Sequence, residues 1–371
     1  MKILLVTIHN ANNYGAVLQA YATHSILSQC GIVSTLDYNN RYLAHHLDLI
    51  RFAPTLHGLK MFIHDVLRLP YRFVVISKFK KFIREGQNLT SKLTSKDLMT
   101  GGAGNYDAYV CGSDQIWNPE IVSPTKTIDP IFFLEFCKSN AKKISYASSV
   151  GHHSFTDDEK VHVKRLLKDF SLISTRESDG VAKLSEILPD REIHHVLDPT
   201  LLLTKNEWVS VLGLHLAIPK EKYLLVYTVP RSGLIKKAVK YYAKKLNLKV
   251  VAIDQMLWPI SNVDMHMKSA GPKEFVELFC NAEFVVTDSF HGVCFAVNFS
   301  KPFVAVSAGK RANRISSLLS VLNLNETLVS SEAEFSKTTL KFDFNLISEK
   351  LNNEREKSKK ILLDSLSSKK I

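Results

Sequence analysis

The fold is decided by the stretch Phe284-Val285-Val286-Thr287-Asp288-Ser289-Phe290-His291-Gly292. It opens with an unbroken apolar run, which is typical of a strand that is buried on both faces of a parallel sheet. The polar residues that follow lead into a predicted helix over 291–299. An aspartate, a serine and a histidine therefore lie together at a strand-to-helix switch, and such switches indicate an α/β protein.

The same alternation of strands and helices extends outward over most of the 371 residues. Strands are predicted at 2–7, 34–37, 107–111, 143–147, 172–175, 194–197, 223–228, 249–253, 283–287 and 303–306, and helices at 16–30, 157–170, 178–188, 232–246, 272–281, 291–299, 312–322 and 344–365. The pattern predicts two α/β domains, at 1–205 and 206–340, and a charged helical tail at 341–371. Open α/β halves bind ligands beside the carboxyl ends of their strands, so we expect the ligand in a cleft between them.

Composition and charge fit an ordinary globular protein with acidic partners. The hydrophobic fraction is 45% and the net charge is +12. Such a charge favours phosphorylated substrates, anionic lipid surfaces or nucleic acid. No zinc-finger spacing and no basic-aromatic RNA-binding signature appears, so nucleic acid is the least favoured of these partners.

The five cysteines form no CxxC pair and most lie in apolar stretches. They are expected to be buried free thiols, which points to a reducing, cytoplasmic compartment. The first residues are too short an apolar run for a signal peptide and predict a strand. No uncharged run approaches the ~20 residues that span a bilayer.

The segment 51–85 carries eight Lys or Arg residues against two acids, with large apolar residues between them. Pro70 is expected to separate two helices. One interpretation is peripheral docking on the inner face of an anionic membrane. The alternative is two ordinary amphipathic helices, whose aromatic residues pack in the core while their charges face water.

Three loops of the first half carry dense polar or glycine content. In the loop 9–15, Asn13 and Gly15 precede a helix whose backbone N–H groups suit an anion or a sugar hydroxyl, although this stretch alone favours a simple strand-to-helix turn. In the loop 112–119, Gly112, Ser113 and Asp114 suit a sugar. The alternative there is a helix cap, with Trp117 in the core rather than stacked on a sugar.

The third of these loops contains Arg176, which follows an apolar strand. An arginine at this place can hold a carboxylate or a phosphate in a bidentate contact. The alternative is an ion pair with a nearby acid.

In the second half, His291 is placed to act as a general acid near neutral pH. Ser289 and the helix that begins there suit a phosphate. Lys301 and Arg314 are candidates to line the same cleft. No metal-ligand spacing, GxGxxG motif, P-loop or GxSxG motif appears, which removes the support for dinucleotide and serine-hydrolase readings.

Taken together, the loops resemble the polysaccharide pyruvyl transferase family. The matching stretches occur in the family's order, at 13–21 (from Asn13-Tyr14-Gly15), 112–118 (Gly112-Ser113-Asp114), 143–149, 175–177 (Thr175-Arg176-Glu177), 197–200, 287–292 and 314–319. The stretch 40–100 and the chain after 330 match poorly. Each motif is weak alone, and the ordered set is specific.

The resemblance implies two Rossmann-like domains facing a cleft, similar to the GT-B glycosyltransferases, with the acceptor on the N-terminal side and the donor on the C-terminal side. It implies phosphoenolpyruvate as donor and a saccharide or lipid-linked saccharide of a surface polysaccharide as acceptor. It further implies that His291 is the catalytic acid and that Arg176 helps to hold the donor. The scheme needs no metal and no cofactor.

Two other functions stay open from the sequence. One is a glycosyltransferase that uses a nucleotide sugar, for which Glu274 and Glu277 are candidates to hold a ribose. The other is a non-catalytic binding protein of polysaccharide assembly, against which the retention of His291 and Arg176 argues.

Overall fold

The structure, a computed structural model, describes residues 1–52, 55–137, 140–214, 221–260, 263–307, 309 and 312–367. Within these residues the strands are β1 Lys2–Val6, β2 Ile32–Thr35, β3 Ala108–Cys111, β4 Lys142–Ser145, β5 Ser174–Thr175, β6 His194–His195, β7 Tyr223–Tyr227, β8 Lys249–Ile253, β9 Met265–Met267, β10 Phe284–Thr287, β11 Phe303–Val306 and β12 Leu328–Val329.

The helices of the described residues are α1 Tyr14–Leu27, α2 Arg41–Ala44, α3 Leu56–Leu67, α4 Leu69–Gly86, α5 Ser95–Met99, α6 Pro119–Val122, α7 Asp157–Leu167, α8 Ser178–Ile187, α9 Lys205–Leu212, α10 Gly233–Leu246, α11 Pro272–Asn281, α12 Phe290–Asn298, α13 Ala312–Leu322 and α14 Phe344–Ser367. Short 3-10 turns, such as Pro199–Leu201, connect some of them.

The chain divides into two compact units. Unit 1 comprises Met1–Leu47, Lys80–Leu202 and Asn353–Ile371, and unit 2 comprises Asp48–Phe79 and Leu203–Asn352. One of the changes of unit follows Leu202, and the domains expected at 1–205, 206–340 and 341–371 stay predictions. The grouping of 48–79 with the second half follows from tertiary contacts, because Arg68 Nη1 donates to the Gln255 carbonyl at 2.7 Å.

Unit 1 is built on a parallel sheet with the strand order β2-β1-β3-β4, beside the short parallel pair β5-β6. Leu4 pairs with Tyr109 in the register of β1 and β3, and both side chains lie in the core of the unit. All four residues of β3 are buried, as expected for a strand covered on both faces.

Unit 2 is built on a parallel sheet with the order β12-β11-β10-β7-β8-β9. All four residues of β10 are buried, and Val286 pairs with Val226 on one side and Val304 on the other. The predicted α/β class with parallel sheets is therefore confirmed. The carboxyl end of β10 lies near the middle of the sheet edge, where α/β proteins place function.

Several local signals predicted the elements correctly. Thr204 and Glu207 form the expected capping box of α9, and Pro272 is in the first turn of α11. Pro70 lies in the first turn of α4, directly after the end of α3. The short strands β9 and β12 were not predicted, since three and two residues give too little pattern to detect.

The terminal helix α14 is helical as predicted, and it contributes to the interior of unit 1. Ser358 is buried and its hydroxyl oxygen accepts a hydrogen bond from the Leu197 backbone at 3.0 Å. Arg355, also buried, donates through Nε to the Leu201 carbonyl at 2.7 Å. Its charged sequence gave no sign of these buried contacts.

Candidate functional site

The predicted acid His291 lies in the first turn of α12, directly after β10 at the carboxyl edge of the sheet of unit 2. Its side chain is buried. Ser289 is the N-cap residue of this helix, and its side-chain oxygen accepts from the Gly292 backbone N–H at 3.5 Å. The apolar strand and the polar cap together explain why the sequence places a histidine at this edge.

The turn between β10 and α12 is braced by Thr287. Its hydroxyl donates to the Tyr227 carbonyl at 2.7 Å and accepts from the Ser289 backbone N–H at 3.1 Å. A Cβ on Gly292 would lie 2.2 Å from Thr287 Oγ1. Glycine is therefore required at 292, because any side chain would displace the helix that carries His291.

Asp288 connects this turn to the loop that follows β7. Its carboxylate accepts from Thr228 Oγ1 at 2.8 Å and from the Val229 backbone N–H at 3.0 Å. The aspartate of the motif thus fixes two neighbouring loops at the same edge of the sheet.

Arg314 packs against Phe290, the residue that precedes His291. The guanidinium carbon of Arg314 is 5.8 Å from the centre of the Phe290 ring, and the centres of the Phe290 and His291 rings are 5.2 Å apart. The structure therefore places the permanent cation of Arg314 over Phe290, the residue between Ser289 and His291 at this edge of the sheet.

Lys301 is not part of this group. It precedes β11, which is parallel to β10, so it lies at the amino edge of the sheet while His291 lies at the carboxyl edge. Burial lowers the pKa of Lys301, and the nearby charge of Lys205 lowers it further. The expectation that Lys301 lines the same site as His291 does not agree with this placement.

In unit 1, Arg176 is the centre of a buried ionic cluster. Its Nη1 is 2.8 Å from Asp198 Oδ2, its Nε is 3.1 Å from Glu177 Oε1 and its Nη2 is 3.2 Å from Asp114 Oδ1. Burial alone would lower the pKa of Arg176, but the carboxylates of Glu177, Asp198 and Asp114 outweigh it and raise that pKa above its usual range. The guanidinium is a permanent cation enclosed by three acids.

The loop after β3 forms part of this cluster. Ser113 donates to Asp198 Oδ2 at 2.9 Å, and Gly112 lies directly against Thr7, where a Cβ would be 2.7 Å from the threonine Cβ. Asp114 has a φ of 71°, in the left-handed region. The loop is thus a fixed turn, with Asp114 partly exposed and Ser113 buried.

Asn13 and Gly15 begin α1. Asn13 is the N-cap residue, and its Oδ1 accepts from the Ala16 backbone N–H at 3.2 Å. Asn13 is exposed while Gly15 is buried. The capping role is the simple turn considered from the sequence, and it leaves the Asn13 amide group facing outward at the carboxyl end of β1.

Trp117 belongs to the core rather than to a sugar-binding surface. Its ring stacks on Phe133 with centres 5.2 Å apart, and its Nε1 donates to the Phe132 carbonyl at 3.0 Å. The core alternative for this tryptophan is therefore correct.

Sequence reasoning missed the acids that hold Arg176. Asp198 also caps the turn at Pro199–Leu201, with its Oδ1 accepting from the Thr200 backbone N–H at 3.0 Å. Glu177 accepts from Ser149 Oγ at 2.6 Å. In the sequence, the only sign that these acids matter is that both belong to stretches that resemble the family, 175–177 and 197–200.

All five cysteines are thiols rather than disulfides, and four of the five are buried, as predicted. Across the described residues, no cluster of three or more His, Cys, Asp or Glu side chains is arranged to hold a metal ion. Among the helices of that same part of the chain, none has the length and apolarity to cross a membrane.

Two solved structures share this fold. One is UDP-GlcNAc 2-epimerase from Neisseria meningitidis bound to UDP-GlcNAc, at 13% identity and a TM-score of 0.50, with 99% of each chain covered. The other is the S. aureus MnaA structure with UDP, at 12% identity and a TM-score of 0.50, covering 100% of this chain and 99% of that chain. The likeness confirms the predicted GT-B-like fold with two Rossmann-like domains.

None of the curated proteins compared with the chain matches it. The model of the polysaccharide pyruvyl transferase family matches residues 13–309, which is most of the chain. That range contains both the Arg176 cluster and the turn that carries His291. The chain belongs to the polysaccharide pyruvyl transferase family.

Proposed function

We propose that this protein transfers the pyruvyl group of phosphoenolpyruvate to a saccharide of a surface polysaccharide or its lipid-linked precursor, forming a ketal. The observation that supports it most is the position of His291. It follows a buried central strand, lies in the first turn of α12 and comes directly after Phe290, over whose ring the Arg314 cation packs, within a chain of this family.

In the proposed reaction His291, as imidazolium, gives its proton to the methylene carbon of phosphoenolpyruvate. The neighbouring carbon becomes electrophilic and a sugar hydroxyl adds to it. The bond from that carbon to the phosphate oxygen breaks, and a second hydroxyl closes the ketal. Of the two hydroxyl protons released, one restores the imidazolium and the other leaves with the phosphate.

The donor carries several negative charges, and the proposed contacts follow from that. Arg314 neutralises negative charge on the donor as that charge moves onto the departing phosphate. Ser289 uses its oxygen to cap α12, so its hydroxyl hydrogen can donate to a phosphate oxygen. Lys301 is left out of the site because it lies at the other edge of the sheet.

The role of Arg176 is revised by its surroundings. A guanidinium bound to three carboxylates presents a negative environment to an anionic donor. We therefore propose that Arg176 is a positioning residue of unit 1, which fixes Ser113 and Asp114. Those two residues, with Gly112, Asn13 and Gly15, are the proposed saccharide contacts.

A nucleotide-sugar transferase is the rival function. Its candidate ribose ligand Glu274 is engaged elsewhere, since its Oε2 accepts from the Gly271 backbone N–H at 3.0 Å and its carboxylate pairs with Lys78. This occupation removes Glu274 as a ribose ligand and leaves Glu277 as the remaining candidate of the rival function.

The test is incubation of the protein with phosphoenolpyruvate and a panel of lipid-linked and model glycosides, followed by mass spectrometry. A parallel series replaces phosphoenolpyruvate with nucleotide sugars. We expect a pyruvylated product with release of phosphate. Transfer of a glycosyl group from a nucleotide sugar would overturn the proposal.

A further inference from the structure

Helix α3 of unit 2 exposes its apolar face, whereas the apolar face of a helix normally packs against the core. Its apolar face consists of five residues at helical spacing: Leu56, Leu59, Ile63, Val66 and Leu67. All five are exposed, from 43% for Val66 to 83% for Leu56. Because this spacing places them along one stripe of the helix, they form a continuous apolar surface.

The opposite side of α3 is held inward by Asp65, which is fully buried. Its carboxylate is 2.8 Å from Arg51 Nη2 and 2.9 Å from Arg68 Nη2, and Arg72 Nε lies 3.8 Å away. Turning the helix to bury its apolar face would expel this carboxylate from its arginines. The ion pairs of Asp65 therefore fix α3 with its apolar face pointing outward.

The apolar surface continues into the first turns of α4. Ten of the twenty-two exposed large hydrophobic side chains of the described residues lie between Phe52 and Val74, so the exposure is concentrated here. Tyr71 and Phe73 are among them, while Phe79 and Phe82 are buried. The alternative in which the aromatic residues of 51–85 pack in the core is thus right for the end of α4 and wrong for its beginning.

The charges around this surface are basic. Asp65 is the only acid of residues 55–74, and it is buried. Lys60 is exposed next to the apolar face, and Lys268 Nζ is 5.1 Å from the centre of the Tyr71 ring. Apolar side chains bordered by lysine and tyrosine match the interface of an anionic bilayer.

We infer that the apolar face of α3 docks this protein on an anionic lipid surface. The apolar side chains enter the acyl boundary and Lys60 stays with the headgroups. The docking surface differs from the basic group at Lys78, Lys80, Lys81 and Arg84, because it lies on α3 and the start of α4 while that group lies in the second half of α4. The inference does not depend on the reaction proposed above, although a lipid-carried acceptor would be met at such a surface.

The test is co-sedimentation of the full chain with vesicles of equal parts phosphatidylglycerol and phosphatidylcholine, and with phosphatidylcholine alone. We expect binding to the anionic vesicles that weakens with salt. Leu59→Gln with Ile63→Gln should lower the partition coefficient at least about 10-fold. Lys60→Gln should lower it roughly 5-fold at low salt.

The matched control is Val161→Gln, which replaces a 72% exposed valine on α7 of unit 1 and should leave binding unchanged. Unfolding midpoints of all variants are compared, since exposed substitutions should not disturb the fold. Absence of wild-type binding at low salt would overturn the inference. So would a self-associated protein that Leu59→Gln with Ile63→Gln converts to monomer, because a second copy would then cover the face.

Discussion

The Thr287 hydroxyl touches the backbone of Gly292 so closely that residue 292 has no room for a Cβ, which would lie 2.2 Å from Thr287 Oγ1. The hydroxyl is held by the Tyr227 carbonyl and the Ser289 N–H and cannot give way. The start of α12, and with it His291, is fixed by this contact.

Gly292→Ala should destabilise the protein by about 1–3 kcal/mol, because overpacking forces the helix away from the strand. Pyruvyl transfer should fall as well, since His291 moves with the helix. Gly233→Ala is the control, as a Cβ there meets nothing within 4 Å. Urea unfolding and transfer assays measure both effects, and a Gly292→Ala protein with the stability of wild type would show that the turn yields easily.

His291→Gln should remove most of the transfer activity while leaving the fold intact. A positioned general acid contributes ~10²–10⁴-fold, and glutamine cannot donate a proton in this way. Lys301→Gln serves as the control from the opposite edge of the sheet and should keep its activity. Turnover of the folded His291→Gln protein at the wild-type rate would eliminate the proposed role.

Arg176→Lys should destabilise the protein by about 3 kcal/mol, because a lysine cannot bind all three carboxylates and leaves the buried charges of Glu177 and Asp198 poorly paired. Arg165→Lys is the matched control, since Arg165 makes an exposed pair with Glu135. Calorimetric titration with phosphoenolpyruvate separates the two roles of Arg176. Unchanged stability together with lost donor affinity would contradict the positioning role and show that Arg176 contacts the donor directly.

Asp65→Asn should cost about 3 kcal/mol near neutral pH, because it leaves three arginines crowded around a neutral group. Burial opposes the ionised carboxyl, but hydrogen bonds from Arg51 and the charge of Arg72 prevail and lower the pKa of Asp65 to about 2. A lowered pKa gives stability that is present above the unfolded-state value and lost as pH falls toward about 2.

The difference in unfolding free energy between wild type and Asp65→Asn should therefore shrink as pH falls from about 4 to about 2. Urea titrations of both proteins at several pH values measure it. A difference that stays constant through this range would show that the carboxylate charge does not stabilise α3.

The strand β10 and helix α12 were predictable because an apolar run and a serine cap are local signals. The position of Lys301 was also predictable, since a residue before a strand lies at the amino edge of a parallel sheet. Two partners of Arg176 were not predictable, because Asp114 and Asp198 are distant in sequence and meet only in the folded unit, whereas Glu177 is the next residue in the chain. Periodicity likewise revealed α3 as amphipathic but not which face is buried, since that depends on Arg51.

The hydrogen bonds between α14 and the backbone of unit 1 have a consequence for the synthesis of this chain. Ser358 and Arg355 satisfy the backbone at Leu197 and Leu201, which leave the ribosome far earlier. Those backbone groups stay without these partners until α14 has been synthesised, so unit 1 is completed only after the chain between Leu203 and Asn352 has been made. All segments of unit 2 precede Asn353, so unit 2 has its complete set of segments before unit 1 does.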